Sequence, residues 1–169
     1  MNNCIFCKIV SGEAPSHKIW ESDMHLAFLS IFPNTEGVSV VIPKEHFSSY
    51  IADLPDEVSS ALLIAGKIVA KKLDAAFPDV GRTGFIFEGF GVDHIHLKLF
   101  PMHGTASDVW EQRSSQIEKY FENYEGYLSS HDHVRADDTA LAALAEKISA
   151  ADDTLRSGKT VINRLQKRE

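Results

Sequence analysis

Residues 93–99 alternate polar and apolar side chains without a break, which is the pattern of a half-buried β-strand. Because successive side chains of a strand point to opposite faces, one set is predicted to enter the core: Ile95, Leu97 and Leu99. The polar set is predicted to share the other face at a spacing of about 6.6 Å: His94, His96 and Lys98. Two imidazoles and an ammonium on one face indicate either a solvated strand surface or a chemical site.

Other segments predict four further strands and one long helix. Residues 16–21, 25–30, 38–42 and 83–88 have the β-branched, aromatic or alternating composition of strands. Residues 55–77 repeat apolar side chains at helical spacing, with acidic residues first and lysines last, as suits the helix dipole.

The segment after residue 104 carries no further strand pattern. A helix is predicted from Ser107, a suitable N-cap, to about Asn123, and another is predicted to start near Asp137. The whole pattern predicts an α+β fold, in which a mainly antiparallel sheet of about five strands packs against the long helix. We expect residues 1–104 to form this domain and residues 105–169 to be a helical extension packed on it.

Length and charge restrict the classes of function. The 169 residues, 44% of them hydrophobic, suffice for one ordinary core. A net charge of −7 argues against sequence-independent binding to nucleic acid or to an anionic membrane. No apolar run approaches the length of a membrane span, and the N-terminal residues lack a signal-peptide pattern, so a cytoplasmic location is expected.

Two short motifs add candidate chemistry. Gly89 and Gly91 come just before the histidine segment, where a Gly-rich turn can present backbone N–H groups to an anion. Cys4 and Cys7 form a Cys-x-x-Cys motif, which a reducing compartment leaves open to metal binding, redox chemistry or two ordinary thiols. Residues 44–46 are predicted to form a short helical turn that brings His46 back toward the cysteines.

Residues 89–101 resemble the signature of the histidine triad (HIT) superfamily, in which a Gly-rich turn leads into His-x-His-x-His with apolar residues between. The resemblance covers about residues 4–103. It implies that the middle histidine, His96, is the nucleophile that takes up a nucleotidyl group, and that Gly89 and Gly91 contact the phosphate. It also implies a homodimer.

The opening residues 4–15 are similar to those of the zinc-containing branch of the superfamily. There, one histidine after a Pro-Lys-x-His motif and the first histidine of the triad complete the zinc site. The resemblance therefore implies a structural zinc with this ligand set: Cys4, Cys7, His46 and His94.

Several positions depart from the family pattern. Lys98 stands where the third histidine binds phosphate and donates a proton, and Phe90 replaces a polar residue of the turn. An ammonium near His96 would attract phosphate and favour a neutral imidazole, but it releases its proton poorly at neutral pH. Val38 replaces a histidine that backs the catalytic row. Ser30 replaces an aspartate that binds the ribose hydroxyls, and can still make one hydrogen bond.

These features predict a HIT-type nucleotide hydrolase or nucleotidyl transferase acting on a purine nucleotide: a nucleoside phosphoramidate, an adenylate or a dinucleoside polyphosphate. Catalysis would use His96 and Lys98, and Ser30, Gly89, Gly91 and Lys98 would bind substrate. One alternative is a zinc-stabilised nucleotide-binding protein with little or no turnover. Another is a metalloenzyme with an open metal site on His94 and His96, which a saturated zinc would contradict.

Overall fold

Five strands form one antiparallel sheet in the computed structural model, which describes residues 3–107, 109–111, 123 and 135–151. The strands are β1 Lys18–Glu21, β2 His25–Leu29, β3 Ser39–Pro43, β4 Thr83–Ile86 and β5 Leu97–Pro101. Their order in the sheet is β1-β2-β3-β5-β4, with every neighbouring pair antiparallel. Because β3 lies in the centre, all five of its residues are buried. The predicted α+β fold with about five antiparallel strands is confirmed.

The long helix α2, Asp56–Ala76, covers one face of the sheet and lies within one residue of its predicted bounds. Its buried stripe includes Leu62, Val69 and Leu73, which share a core with the inward residues of the strands. Gly66 faces Leu97 so closely that any side chain there would overlap it. Among the described helices, none combines the length and apolar character needed to cross a membrane.

A short helix α1, Ile5–Ser11, covers the opposite face of the sheet. Its Phe6 and Ile9 pack in a second, smaller core. The strand residues in that core are Leu26, Phe28, Val40 and Ile42. They alternate along the strands with the residues that face α2. Both faces of the sheet centre are therefore covered, whereas the sequence pattern near the histidines left open either a solvated strand surface or a chemical site.

The C-terminal helix α3, Asp138–Ala150, packs on the same core as α2. The Asp137 side chain caps its first turn by accepting a hydrogen bond from Ala140 N at 2.9 Å, which confirms the predicted start. Leu141 and Ile148 are buried against the sheet. Most of the helix predicted from residue 107 to 123 lies outside the described residues, but residues 109–111 are described and are not helical, so the predicted start at Ser107 is wrong. The division at residue 104 stays a prediction.

Truncating Ile148 to alanine should lower the free energy of unfolding by about 2 to 5 kcal/mol, because its side chain is fully buried in the shared core. A urea titration followed by tryptophan fluorescence measures the change. Glu146→Ala, on the exposed side of α3, is the matched control and should change stability by less than about 0.5 kcal/mol. A small effect of Ile148→Ala would show that α3 is not part of the folding unit.

Three further predictions of local structure are wrong. The strand predicted over residues 93–99 begins only at Leu97, and residues 91–96 form an irregular segment. In this segment Ile95 N donates to Phe47 O at 3.1 Å, so the loop after β3 takes the place of a strand partner. The predicted helical turn at residues 44–46 is a bend, and β4 and β5 are joined by ten residues, 87–96, in place of a short hairpin loop.

Candidate functional site

Cys4, Cys7, His46 and His94 form a compact cluster whose possible ligand atoms lie within 4.8 Å of one another. Cys4 precedes the first turn of α1 and Cys7 ends that turn, so both thiols face the same way. The bend after β3 carries His46 to 3.3 Å from Cys7 Sγ, measured to Nδ1. His94 Nδ1 lies 3.6 Å from Cys4 Sγ and 3.7 Å from Cys7 Sγ. The structure thus brings together all four residues of the predicted ligand set.

The geometry of the cluster suits a tetrahedral metal ion. Metal–sulfur bonds of about 2.3 Å and metal–nitrogen bonds of about 2.1 Å place neighbouring ligand atoms about 3.4 to 3.8 Å apart in a tetrahedron, close to the three distances above. His94 Nε2 donates to Pro43 O at 2.9 Å, which leaves the Nδ1 lone pair for the metal. Burial, together with the hydrogen bond and charge interaction between Cys7 and Cys4, raises the pKa of Cys7, so a metal must displace a thiol proton on binding. The four side chains could hold a metal ion and would saturate it.

His96 is buried, only 3% exposed, and its ring packs edge-on against Phe6 of α1. Its Nδ1 lies 2.8 Å from the His94 carbonyl oxygen, and since a carbonyl only accepts, Nδ1 carries the proton. Nε2 therefore has an unprotonated lone pair. Burial lowers the pKa of His96, and the nearby positive charge of Lys98 lowers it further. The hydrogen bond to His94 O raises the pKa, but the net shift is downward. The imidazole is accordingly neutral and able to act as a nucleophile.

A cavity of about 520 Å³ lies beside His96 between α1, the loop after β2 and the Gly-rich turn. Pockets that hold nucleotide-sized molecules have volumes of about 300 to 1,000 Å³. Most of its wall is apolar: Ile5, Phe6, Ile9, Phe28, Ile31, Phe32, Val40, Phe90 and Val92. The polar lining includes Ser30, His96 and Lys98. The predicted nucleophile and the predicted phosphate contact thus open onto one apolar cavity.

The Gly-rich turn is held in place by the loop that follows β3. Gly89 and Gly91 have φ values of 73° and 87°, which residues other than glycine rarely adopt. Ser49 Oγ donates to Gly89 O at 3.0 Å, and Ser49 N donates to Asp93 Oδ1 at 2.9 Å. Gly91 lines the cavity, whereas the contacts of Gly89 are to Ser49 and its neighbour.

Ser30 lies where the sequence predicts a contact to substrate, but its hydroxyl is already engaged. Its Oγ accepts a hydrogen bond from Phe32 N at 3.1 Å, which shapes the loop after β2. The hydroxyl still has a proton to donate into the cavity.

Glu88 is a member of this site that sequence reasoning missed. Its carboxylate accepts a hydrogen bond from Lys98 Nζ at 2.9 Å, and its side chain is only 7% exposed. No local pattern marked it, because its contact with Lys98 depends on the register of β4 against β5, which places Ile86, two residues before Glu88, opposite Lys98.

His103 belongs to a different part of the molecule. Its Nδ1 pairs with Asp79 Oδ2 at 3.1 Å and its Nε2 donates to Glu36 O at 3.0 Å. Its ring packs edge-on against Phe77. Both ring nitrogens are thus engaged in joining two loops, and His103 is not part of the cavity lining.

An antiparallel sheet with a Cys2His2 cluster on one side and a buried, neutral histidine facing a cavity defines a protein of the histidine triad class. Residues 11–105 match the family model described as "HIT domain", which is more than half of the chain. The chain belongs to the HIT family.

Relatives and solved structures agree with this assignment. The chain is 33% identical over 119 residues to the adenosine 5'-monophosphoramidase HNT1 of Saccharomyces cerevisiae, covering 69% of this chain and 75% of that one. A HIT-like protein from Bartonella henselae matches with a TM-score of 0.65 and 26% identity, over 90% of this chain and 98% of its own. A Zn-bound histidine triad family protein from Mycobacterium smegmatis matches with a TM-score of 0.64 and 25% identity, over 93% and 98%.

Proposed function

We propose that the protein is a nucleotide hydrolase or nucleotidyl transferase that works through a covalent nucleotidyl intermediate on His96. Its substrate would be a purine nucleoside phosphoramidate, an adenylate or a dinucleoside polyphosphate. The observation that carries the proposal is the unprotonated Nε2 of a buried His96 beside an apolar cavity that Lys98 also lines. The similarity to a protein named adenosine 5'-monophosphoramidase supports the same class of reaction.

The residues divide the chemistry among them. The apolar part of the cavity would bind the base, and Ser30 would contact the ribose. His96 Nε2 would attack the α-phosphorus, which splits hydrolysis into two easier displacements. Lys98 and the backbone N–H groups of Gly89 and Gly91 would stabilise the charge on the phosphoryl oxygens. The Nδ1 proton held on His94 O keeps the imidazole oriented through both steps.

The metal cluster has a structural role in this proposal, with zinc as the ion that fits two thiolates and two imidazoles. Zinc bound by Cys4, Cys7, His46 and His94 would link α1 and the bend after β3 to the segment before His96. The open-site alternative is disfavoured, because His96 directs Nδ1 at the His94 carbonyl and is not part of the cluster.

The remaining alternative is a zinc-stabilised nucleotide-binding protein with little or no turnover, which the departures at Lys98 and Val38 favour. Mass spectrometry of the acid-quenched protein decides between the two. Mixing with phosphoramidates, adenylates and dinucleoside polyphosphates should add the mass of a nucleoside monophosphate to the peptide that contains His96. Binding of nucleotide without adduct or hydrolysis on any of them would replace the enzyme by the binding protein.

Homodimer formation and a cytoplasmic location stay predictions. An exposed apolar strip on α2 supports a dimer: Leu63, Ile64 and Ile68. Sedimentation velocity should give twice the 18.8 kDa of the chain, and Ile64→Glu should shift the protein to monomer. A monomer at micromolar concentration would contradict the prediction.

A further inference from the structure

Lys98, which lines the cavity, forms an ion pair with Glu88. Lys98 Nζ lies 2.9 Å from Glu88 Oε2, and the two side chains are 21% and 7% exposed. Burying one charge without the other is strongly unfavourable, so the two groups stabilise each other in this position. The ammonium that replaces the third histidine of the family pattern is therefore bound to a carboxylate.

The position of the pair is set by the sheet. Lys98 is opposite Ile86 in the β4–β5 ladder, and Glu88 lies two residues beyond Ile86, just past the end of β4, where its carboxylate reaches Lys98. His96 precedes Lys98 by two residues, just before the start of β5. The pair consequently sits beside the nucleophile, and Lys98 lines the cavity together with His96.

The pair makes Lys98 a fixed cation and a poor source of protons. A proton transferred from Lys98 to a leaving group would replace the ammonium of this ion pair by a neutral amine beside the buried Glu88 carboxylate, and the attraction between the two groups would be lost. An ammonium held in place can instead stabilise the oxygens of the transferring phosphoryl group without giving up a proton.

Leaving groups differ in whether they need that proton. When a phosphate or a carboxylate leaves a phosphorus atom, it departs as a stable anion. When an amine leaves from a P–N bond, its nitrogen must be protonated, because an amide anion is too basic to depart. A site that contains a cation but lacks an acid therefore distinguishes these two classes of substrate.

We propose that Glu88 is a positioning residue for Lys98, and that the pair directs the site toward nucleotide anhydrides and away from nucleoside phosphoramidates. This inference rests on the proposed function. In the first step, His96 Nε2 bonds to the α-phosphorus while the P–O bond breaks and its electron pair leaves with the phosphate or carboxylate. In the second step, a water oxygen bonds to phosphorus, the P–N bond electrons return to Nε2, and one water proton passes to solvent.

The substrate part of the inference is tested with two compounds that share adenosine and the α-phosphorus. Wild-type kcat/KM for diadenosine triphosphate should exceed that for adenosine 5'-phosphoramidate by at least about a hundredfold, the usual contribution of a proton donor. A double variant with Lys98→His and Glu88→Gln, which supplies an imidazole donor, should reduce this ratio. Equal values in the wild type would overturn the inference alone, whereas no turnover and no adduct with either compound would overturn the proposed function and the inference with it.

The positioning part is tested with a double-mutant cycle. Glu88→Gln should lower kcat for diadenosine triphosphate by about ten- to a hundredfold, the range for losing a charge-assisted contact. In a Lys98→Met background the same change should alter kcat by less than about twofold, because no ammonium is left to position. This double variant contains neither charge of the pair and should fold, as its melting temperature will show. If Glu88→Gln lowers kcat by the same factor in both backgrounds, Glu88 has only a structural role. That result would overturn its assignment as a positioning residue for Lys98.

The chain offers a matched control for this cycle. Glu21 pairs with Lys44 at 2.8 Å and with Lys18 at 3.2 Å, but at the surface and away from the cavity lining. Glu21→Gln therefore removes lysine–glutamate contacts without touching the cavity and should leave kcat and the substrate ratio within about twofold of wild type. A loss as large as that of Glu88→Gln would overturn the inference, because the effect would then not be specific to the site.

Discussion

Replacing His96 with alanine should remove the covalent nucleotide adduct and lower turnover by at least about a thousandfold, because no other described residue of the cavity lining offers an unprotonated imidazole nitrogen. Binding of adenosine monophosphate should change much less, since the apolar wall and Lys98 remain. Rapid quench followed by mass spectrometry measures the adduct, and isothermal titration calorimetry measures the affinity.

Two further variants make the His96 result interpretable. His96→Gln occupies more of the buried space than alanine and should lose the adduct equally, which separates chemistry from a packing defect. His17→Gln replaces a histidine that contacts Asp138 outside the cavity, and should retain both adduct and turnover. An adduct that persists in His96→Ala would assign the nucleophile to another residue.

Loss of one cluster ligand through Cys7→Ser should lower the free energy of unfolding by at least about 3 kcal/mol and reduce the bound metal to below one equivalent. The ion would join α1, the bend after β3 and the segment before His96, so its binding energy contributes directly to folding. Urea titrations with and without a chelator measure the stability, and inductively coupled plasma mass spectrometry measures the metal.

The chelator gives an internal control for the metal site. It should destabilise the wild type strongly and the Cys7→Ser protein little, because the variant has little metal left to lose. His96→Ala, which leaves all four ligands in place, should retain one equivalent of metal. Wild-type protein that contains no metal when purified without chelator would contradict the structural zinc.

Much of the fold follows from local sequence patterns. The helical spacing of apolar residues locates α2 to within one residue, and Asp137 marks the start of α3. The β-branched residues around Val40 identify the central strand. Such patterns work because the period of buried side chains depends on local backbone geometry, which neighbouring residues determine.

The components of the candidate site were also visible in the sequence, since the Cys-x-x-Cys motif, His46 and the triad-like segment are recognisable as residue types at given spacings. The structure adds that the four predicted ligands meet within 4.8 Å. The motifs identify which side chains are available as ligands. Only folding of the chain brings residue 4 next to residue 94.

Tertiary contacts alone decided the surroundings of the histidines. Alternation over residues 93–99 correctly separates two sets of side chains, but it cannot state what covers each set. Phe6 of α1 packs on the rings of His94 and His96, so the face with the polar pattern became a second core. The pairing of Lys98 with Glu88 likewise depends on strand register. Burial and ion pairing between distant segments are long-range properties, whereas periodicity reports only the local direction of a side chain.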